Sequence, residues 1–323
     1  MPFELPNPKE IFQYSIDFDR LAERIWQVQA LANAPMAEFV KLMALEGMEF
    51  MPVSFFKDFE MRCGTAWNPE AVFFSSGTTG QARSKHHVRY LSVYQQSLLK
   101  GFHHHFPEGP YRVLGLMPSP EHALNSSLVW MVKTWMESFG LGGSGFFMHD
   151  FHGLKDALED ATIRGERILL IGLSYALLDF SERFPVGLPA DTIVMETGGM
   201  KGQREELVRD DLHGRLKTAF KLDRIYSEYG MSEMLSQAYT DGGNRFRCPP
   251  WMKVVVTDLF LPGKRVGMGQ TGRINIIDLA NLHSCSFLRT DDLGRLHPDG
   301  SFEVLGRLDH AEMRGCNLMY WSD

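Results

Sequence analysis

Between residue 71 and roughly residue 200, two patterns alternate along the chain, and this alternation restricts the fold more than any other feature. Short apolar runs over 72–74, 111–116, 168–171 and 192–195 read as strands. Apolar residues recur at helical spacing over 88–102, 126–139, 153–164, 175–183 and 203–219. Strands that are apolar throughout, rich in Val, Ile and Leu, fit a parallel sheet buried on both faces. The expected class is α/β, mostly parallel sheets covered by helices. Ligands of such sheets bind beyond the carboxyl ends of the strands. The segments that follow each apolar run are therefore the places to look for chemistry.

The flanking regions differ in character. Asn7-Pro8 has the form of a helix start, with Asn as N-cap and Pro at the first helical position. Helical spacing then runs through Ile11, Phe12, Ile16, Leu21, Ile25 and Val28, and a second helix is expected over 37–45. After Pro249-Pro250, strands read at 252–259, 271–279, 286–288 and 302–305, joined by Gly- and Pro-bearing turns. The expected organisation is a helical segment plus α/β core over 1–248, a small antiparallel β subdomain over 249–305, and a short tail over 306–323.

The 323 residues are 44% hydrophobic and 23% charged, enough for one large or two moderate cores. A net charge of -7 with no basic tract gives no electrostatic reason to expect nucleic acid. No apolar run is long enough for a membrane span, and the first residues lack the pattern of a signal peptide. Cys63, Cys248, Cys285 and Cys316 are far apart, with no zinc spacing. They read as free thiols of a reducing, cytoplasmic compartment.

Four polar segments carry candidate chemistry. Ser75-Ser76-Gly77-Thr78-Thr79-Gly80 follows the first apolar run and precedes a polar turn and the 88–102 helix pattern. Strand, glycine- and hydroxyl-rich loop, helix is an order that makes a phosphate cradle, and equally an ordinary flexible connection. It is not a Walker loop, because Ala82 stands where the second Gly should be. Tyr226-Ser227-Glu228-Tyr229-Gly230-Met231-Ser232-Glu233 follows a plausible strand at 222–225. There a base could stack on Tyr229, Ser232 could meet phosphate and Glu233 could hold Mg²⁺, or the segment could be a capped turn. Asp291 and Asp292, within Arg289-Thr290-Asp291-Asp292-Leu293-Gly294-Arg295, could accept from ribose hydroxyls or sit in a turn. In Glu196-Thr197-Gly198-Gly199 a glycine pair follows a strand, where a flat ligand can approach the backbone.

Two further patterns have ordinary readings. Gly172-Leu173-Ser174-Tyr175-Ala176 resembles a nucleophile elbow, but Ala replaces its last Gly and Ser174 reads equally as a helix N-cap. His86-His87 and His103-His104-His105 read as solvated, since consecutive helical residues do not share a face.

Taken in order, these segments and Gly306-Arg307-Leu308-Asp309 resemble the adenylate-forming superfamily of acyl- and aryl-CoA ligases, luciferases and peptide-synthetase adenylation domains. The resemblance spans about 70–315. Pro52-Val53-Ser54-Phe55-Phe56-Lys57, Pro118-Ser119-Pro120 and Asn125-Ser126-Ser127-Leu128 are similar to the acyl-protein synthetase and phenylacetate-CoA ligase branch.

The resemblance implies that Ser75 to Gly80 wrap the triphosphate of ATP, with Lys85 nearby. It places Gly198, Gly199 and Tyr229 at the adenine, Gly230 among the nucleotide-binding residues, Ser232 at the α-phosphate, Mg²⁺ on Glu233, the ribose on Asp292 and the hinge at Arg307 and Asp309. It implies activation of a fatty or aromatic carboxylic acid as acyl-AMP, then transfer to a thiol: Cys316, CoA or an acyl carrier. Trp130, Met131, Trp135, Tyr175 and Leu178 are expected around the acid. Ala311-Glu312 stands where the family commonly has Ile-Lys. The sequence ends at Asp323, so the family's C-terminal lid domain and its adenylation lysine have no counterpart in it. The alternative is a non-catalytic nucleotide-binding module docking on a partner such as a reductase.

Overall fold

A computed structural model of the chain describes residues 4–13, 15–44, 47–64, 66–76, 82–198 and 207–308. Helices α1 (Pro8–Ile11), α2 (Phe18–Ala32) and α3 (Ala34–Leu42) open it, followed by strand β1 (Met51–Pro52) and α4 (Phe55–Asp58). Next come β2 (Ala71–Phe74), β3 (Lys85–Val88), α5 (Leu91–His105), β4 (Arg112–Leu116), α6 (Ser127–Phe139) and β5 (Gly145–Phe146). The central part runs α7 (Phe151–Ile163), β6 (Ile168–Leu173), α8 (Ser174–Arg183), β7 (Ile193–Thr197), α9 (Arg209–Phe220) and β8 (Tyr226–Tyr229). Strands β9 (Ala238–Thr240), β10 (Phe246–Arg247), β11 (Met252–Thr257), β12 (Thr271–Asp278), β13 (Phe287–Leu296) and β14 (Phe302–Arg307) complete it.

The expected α/β architecture is present. Strands β5, β4, β6, β7 and β8 lie side by side and parallel, in that order. The antiparallel strands continue the same sheet through β9, β10, β14, β13, β12 and β11. Successive residues of the parallel strands point to opposite faces. Val113, Leu169, Ile171, Ile193 and Met195 meet residues of α5 and α6, such as Leu98, Phe102, Met131 and Trp135. Leu114, Leu170 and Val194 meet residues of α7, α8 and α9, such as Leu158, Leu177 and Leu216. Both faces are therefore apolar, which is why these runs lack polar alternation.

Four local expectations are corrected. Residues 85–88 form a strand, not a turn leading into a helix, and β2 with β3 makes a separate antiparallel hairpin. Ser75 and Ser76, the described residues of the hydroxyl-rich segment, therefore follow a strand of this hairpin, outside the parallel sheet, and the described chain that resumes at residue 82 enters β3 and not a helix. Helix α5 begins only at Leu91, whose N–H is capped from outside by Glu70 Oε2 at 2.7 Å. In the second motif it is 226–229 that forms the strand, not 222–225, and Asp291 and Asp292 lie inside β13 instead of in a turn. The first helical pattern is split, with a capping box from Asn7 and Glu10 on α1 and Asp17 capping α2.

Candidate active site

The geometry centres on the turn that follows β8. Tyr229 ends that strand, in the middle of the sheet, and its ring packs against Phe246 and Phe302. Its hydroxyl donates to Asp292 Oδ2 at 2.7 Å, tying β8 to β13. Burial raises the Asp292 carboxyl above the usual carboxylate range, against the opposing effects of the Tyr229 hydroxyl and Arg307. Arg307 Nε stands 3.5 Å from Asp292 Oδ1, but its side chain is 87% exposed, so this ion pair contributes little.

Beyond Tyr229 the backbone is held from three sides. His86 Nδ1 lies 2.8 Å from the Ser232 carbonyl. Asn281 Nδ2 donates to the Glu233 carbonyl at 2.7 Å. Asp278, fully buried, accepts from the Leu235 and Ser236 N–H groups and from the Ser236 hydroxyl. Ser232 Oγ donates to Glu233 Oε2 at 2.7 Å.

Glu233 is 7% exposed and forms no ion pair among the described residues. A buried carboxylate without a counter-charge is the chemistry that suits a cation. No cluster of three or more His, Cys, Asp or Glu side chains suited to a metal occurs among the described residues. A metal at Glu233 would therefore complete its shell with phosphate oxygens and water, which is how Mg²⁺ is commonly held.

The β7 end joins the same region. Thr197 Oγ1 donates to Glu228 Oε2, and Glu228 Oε1 lies against Gly230, so that a Cβ there would displace the Glu228 carboxylate. Gly198 has a φ of +69°, a left-handed conformation that glycine adopts without strain. Its carbonyl accepts from Ser174 Oγ, which also donates to Glu196 Oε2 at 2.7 Å. Burial pushes the Glu196 carboxyl up, but hydrogen bonds from His213, Ser227 and Ser174, with the Arg209 charge, outweigh it and hold the pKa below the usual value. Ser174 thus meets a carboxylate where a nucleophile needs an imidazole base. Its geometry is that of a buried structural hydroxyl.

The loop segment attaches through its base. Ser75 N–H donates to the Ser84 carbonyl at 3.1 Å and Ser84 N–H to Ser75 Oγ at 3.0 Å, closing the hairpin. Phe74 N–H donates to the Asn125 carbonyl, joining the hairpin to the segment before α6. Lys85 is exposed beside it. The turn that carries Tyr229, Gly230, Ser232 and Glu233 is thus bonded to His86 of β3 and Asp292 of β13, with Arg307 beside Asp292, Gly198 bonded to Ser174 at the end of β7, and Ser75 at the base of the β2–β3 hairpin. Gly77, Thr78, Thr79, Gly80, Gly199, Asp309 and Cys316 lie outside the described residues.

His86 and His87 are buried, not solvated as expected, and His86 is part of the site. The only sequence signal was a polar pair within a run that pairs with β2. Asn281 and Asp278 gave no signal. The residues expected around the acid do not share one pocket. Met131 and Trp135 pack on one face of the sheet and Leu178 on the other. Trp130 is half-buried and stacks on Tyr94 with centroids 4.9 Å apart. A cavity of about 750 Å³ lies elsewhere: Arg167, Asp191, Arg224 and Tyr226 line it at the amino ends of β6, β7 and β8.

The fold has counterparts among solved structures. It is similar to ATP-bound MatB from Rhodopseudomonas palustris, at a TM-score of 0.55 and 18% identity over 76% of this chain and 49% of that one. An open conformation of 2-hydroxyisobutyryl-CoA ligase in complex with 2-HIB-AMP and CoA gives a TM-score of 0.64 at 12% identity, over 96% of this chain and 81% of that one. The fold is that of the adenylate-forming ligases. The amide bond synthetase McbA from Marinactinospora thermotolerans shares it, at a TM-score of 0.51 and 17% identity over 74% of this chain and 49% of that one. The chain spans about half the length of MatB and of McbA. No family model matches the chain, and a search of curated proteins found no match. No helix among the described residues is long and apolar enough to cross a membrane.

Proposed function

We propose that this chain activates a carboxylic acid as its acyl adenylate, releasing pyrophosphate from ATP, and passes the acyl group to a thiol. The observation that supports the reading is that β3 and β13 are both bonded to the segment 229–233 at the end of β8, in a fold shared with ligases whose structures hold ATP or an acyl adenylate.

One acid oxygen bonds to the α-phosphorus while the bond to the β-phosphate bridging oxygen breaks. Such a site has to stabilise charge on phosphate oxygens and needs few covalent groups. Ser75, Ser76, Gly77, Thr78, Thr79 and Gly80, with Lys85, hold the triphosphate in this reading. Gly198, Gly199, Tyr229 and Gly230 line the adenine, Ser232 meets the α-phosphate and Asp292 the ribose. Arg307 belongs to the hinge. Glu233 holds Mg²⁺, which when bound neutralises phosphate charge. The acid is fatty or aromatic, and the acceptor thiol is Cys316, CoA or a carrier protein.

One observation favours the second reading, a nucleotide-binding module that docks on a partner enzyme. The Ser232 hydroxyl is turned onto Glu233 and has to rotate before it can donate to phosphate. Incubation with ATP, Mg²⁺ and an acid, followed by mass spectrometry, separates the two. Acyl-AMP formed by the wild-type chain and absent with Glu233→Gln supports the ligase. ATP binding without acyl-AMP over a broad acid panel supports the module.

A further inference from the structure

His86 has an unusual position for a buried histidine. It lies on β3, opposite Phe73 of β2, two residues past Ser84, where the hydroxyl-rich loop returns to the hairpin. Its ring is fully buried, with its edge on Phe56 at a centroid separation of 5.5 Å. Burial outweighs the hydrogen bonds and lowers its pKa to about 4, so the ring is neutral near pH 7. A carbonyl oxygen only accepts, so Nδ1, 2.8 Å from the Ser232 carbonyl, carries the proton. Nε2 is buried with no hydrogen-bond partner among the described residues. As a filler of apolar space, an imidazole is a poor choice, since its polar nitrogens are desolvated, and here the Asn281 side chain also stands near enough to act on the ring.

The Nδ1 bond has a particular consequence. The carbonyl it holds belongs to the peptide between Ser232 and Glu233. The next carbonyl, that of Glu233, is held by Asn281 Nδ2 at 2.7 Å, and Asn281 is fixed in turn by the Cys285 carbonyl at 2.8 Å. The two peptide planes flanking the Glu233 Cα are therefore anchored, one to the hairpin and one to the turn after β12. Two anchored planes set the backbone dihedrals at Glu233, and with them the direction of its Cα–Cβ bond. Ser232 Oγ restrains what side-chain rotation remains.

We propose that His86 is a positioning residue that aims the Glu233 carboxylate at its metal and ties that aim to the base of the 75–84 loop. This rests on the reading of Glu233 as the Mg²⁺ ligand. The hairpin that delivers the phosphate loop also delivers the imidazole. Displacement of the hairpin at Ser75 and Ser84 is therefore expected to shift Glu233.

The test is calorimetric titration of ATP into the folded chain across a range of Mg²⁺ concentrations, with His86→Leu, His86→Asn and His86→Gln. Asn places an amide N–H near the position of Nδ1, whereas Gln places it near Nε2 and Leu supplies none. Partners that orient metal ligands typically alter metal affinity by about 10- to 100-fold. His86→Leu and His86→Gln are expected to weaken the apparent Mg²⁺ affinity at least tenfold. His86→Asn is expected to stay within about threefold of wild type, on the general rule that restoring the orienting hydrogen bond restores ligand aim. A purely structural role would lower the melting temperature of all three and leave the Mg²⁺ dependence alone. If Leu does not fold, equal Mg²⁺ affinity of Asn and Gln overturns the proposal. If wild type binds ATP with no Mg²⁺ dependence, the reading of Glu233 fails first, and a wild-type dependence unchanged in every variant overturns the role of His86 alone.

Discussion

Tyr229 Oη and Asp292 Oδ2 are 2.7 Å apart, and this one hydrogen bond joins the last parallel strand to an antiparallel strand 63 residues further along the chain. Both residues are more than nine-tenths buried, and both belong to the proposed nucleotide site. The bond uses one carboxylate oxygen. The other, Oδ1, stands 3.5 Å from Nε of the exposed Arg307, and it is the oxygen proposed to accept from a ribose hydroxyl. Tyr229→Phe leaves a buried carboxylate short of a donor, at a loss of about 1–3 kcal/mol in folding stability. Urea denaturation measures it, and an unchanged midpoint contradicts the role of the bond.

Asp292 gives a prediction with a sign. Burial raises its folded pKa above the unfolded value. The folded state therefore holds its proton more tightly, and the stability this confers is present below the unfolded pKa and lost as pH rises through the folded pKa. At neutral pH the ionised group is a liability to the fold. Asp292→Asn keeps an acceptor for Tyr229 and removes that liability, so stability at pH 7 should hold or rise while nucleotide affinity falls. Denaturation at pH 4.5 and 7, beside ATP titration, checks both. A variant less stable at pH 7 with intact ATP binding would run against both halves.

Glu196 behaves oppositely. Its folded pKa is lowered, so its contribution is present above the unfolded value and lost as pH falls through the folded one. Ser174→Ala removes one of the donors that hold it there. The expected effect is about 1–3 kcal/mol at pH 7, with an acid-unfolding transition shifted upward in pH. Acid titration followed by circular dichroism measures the shift. Because Ser174 serves Glu196 and the Gly198 carbonyl, any p-nitrophenyl ester cleavage should survive Ser174→Ala. Its loss would revive a hydrolase.

Much of the fold was legible because burial on two faces leaves a plain mark. Ile168, Leu169, Leu170 and Ile171 are all fully or almost fully buried, as expected of a parallel strand covered on both faces. The hairpin was not legible, because His86 and His87 are polar residues buried through tertiary contacts, and no local pattern announces a bond to the Ser232 carbonyl. The Asp291-Asp292 pair has turn chemistry by composition, but pairing of β13 with β14 and the Tyr229 hydroxyl make Asp292 a strand residue. For the proposed site, the order of the motifs in the chain suggested glycine, hydroxyl and carboxylate positions. The residues that aim them, His86, Asn281 and Asp278, act across 146, 48 and 42 residues of sequence and appear only once the chain is folded.

Asp278 shows how strongly that hidden layer matters. It accepts from Leu235 N–H, Ser236 N–H, Ser236 Oγ and Ala280 N–H, all buried. Asp278→Ala leaves several donors unmet, and at about 1–3 kcal/mol for each buried unsatisfied group the total should exceed about 3 kcal/mol. Thermal unfolding should show a large drop. A shift of only a degree or two would mean that water or a neighbour takes its place.

The central claim is acid-dependent adenylation, and isotope exchange between pyrophosphate and ATP reads that step alone. With Mg²⁺ and a panel of fatty and aromatic acids, the account predicts exchange that requires an acid, is strongest for one group of acids and is abolished in Glu233→Gln. A folded chain that binds ATP yet shows no exchange with any acid, or exchange indifferent to acid and to Glu233, would contradict it.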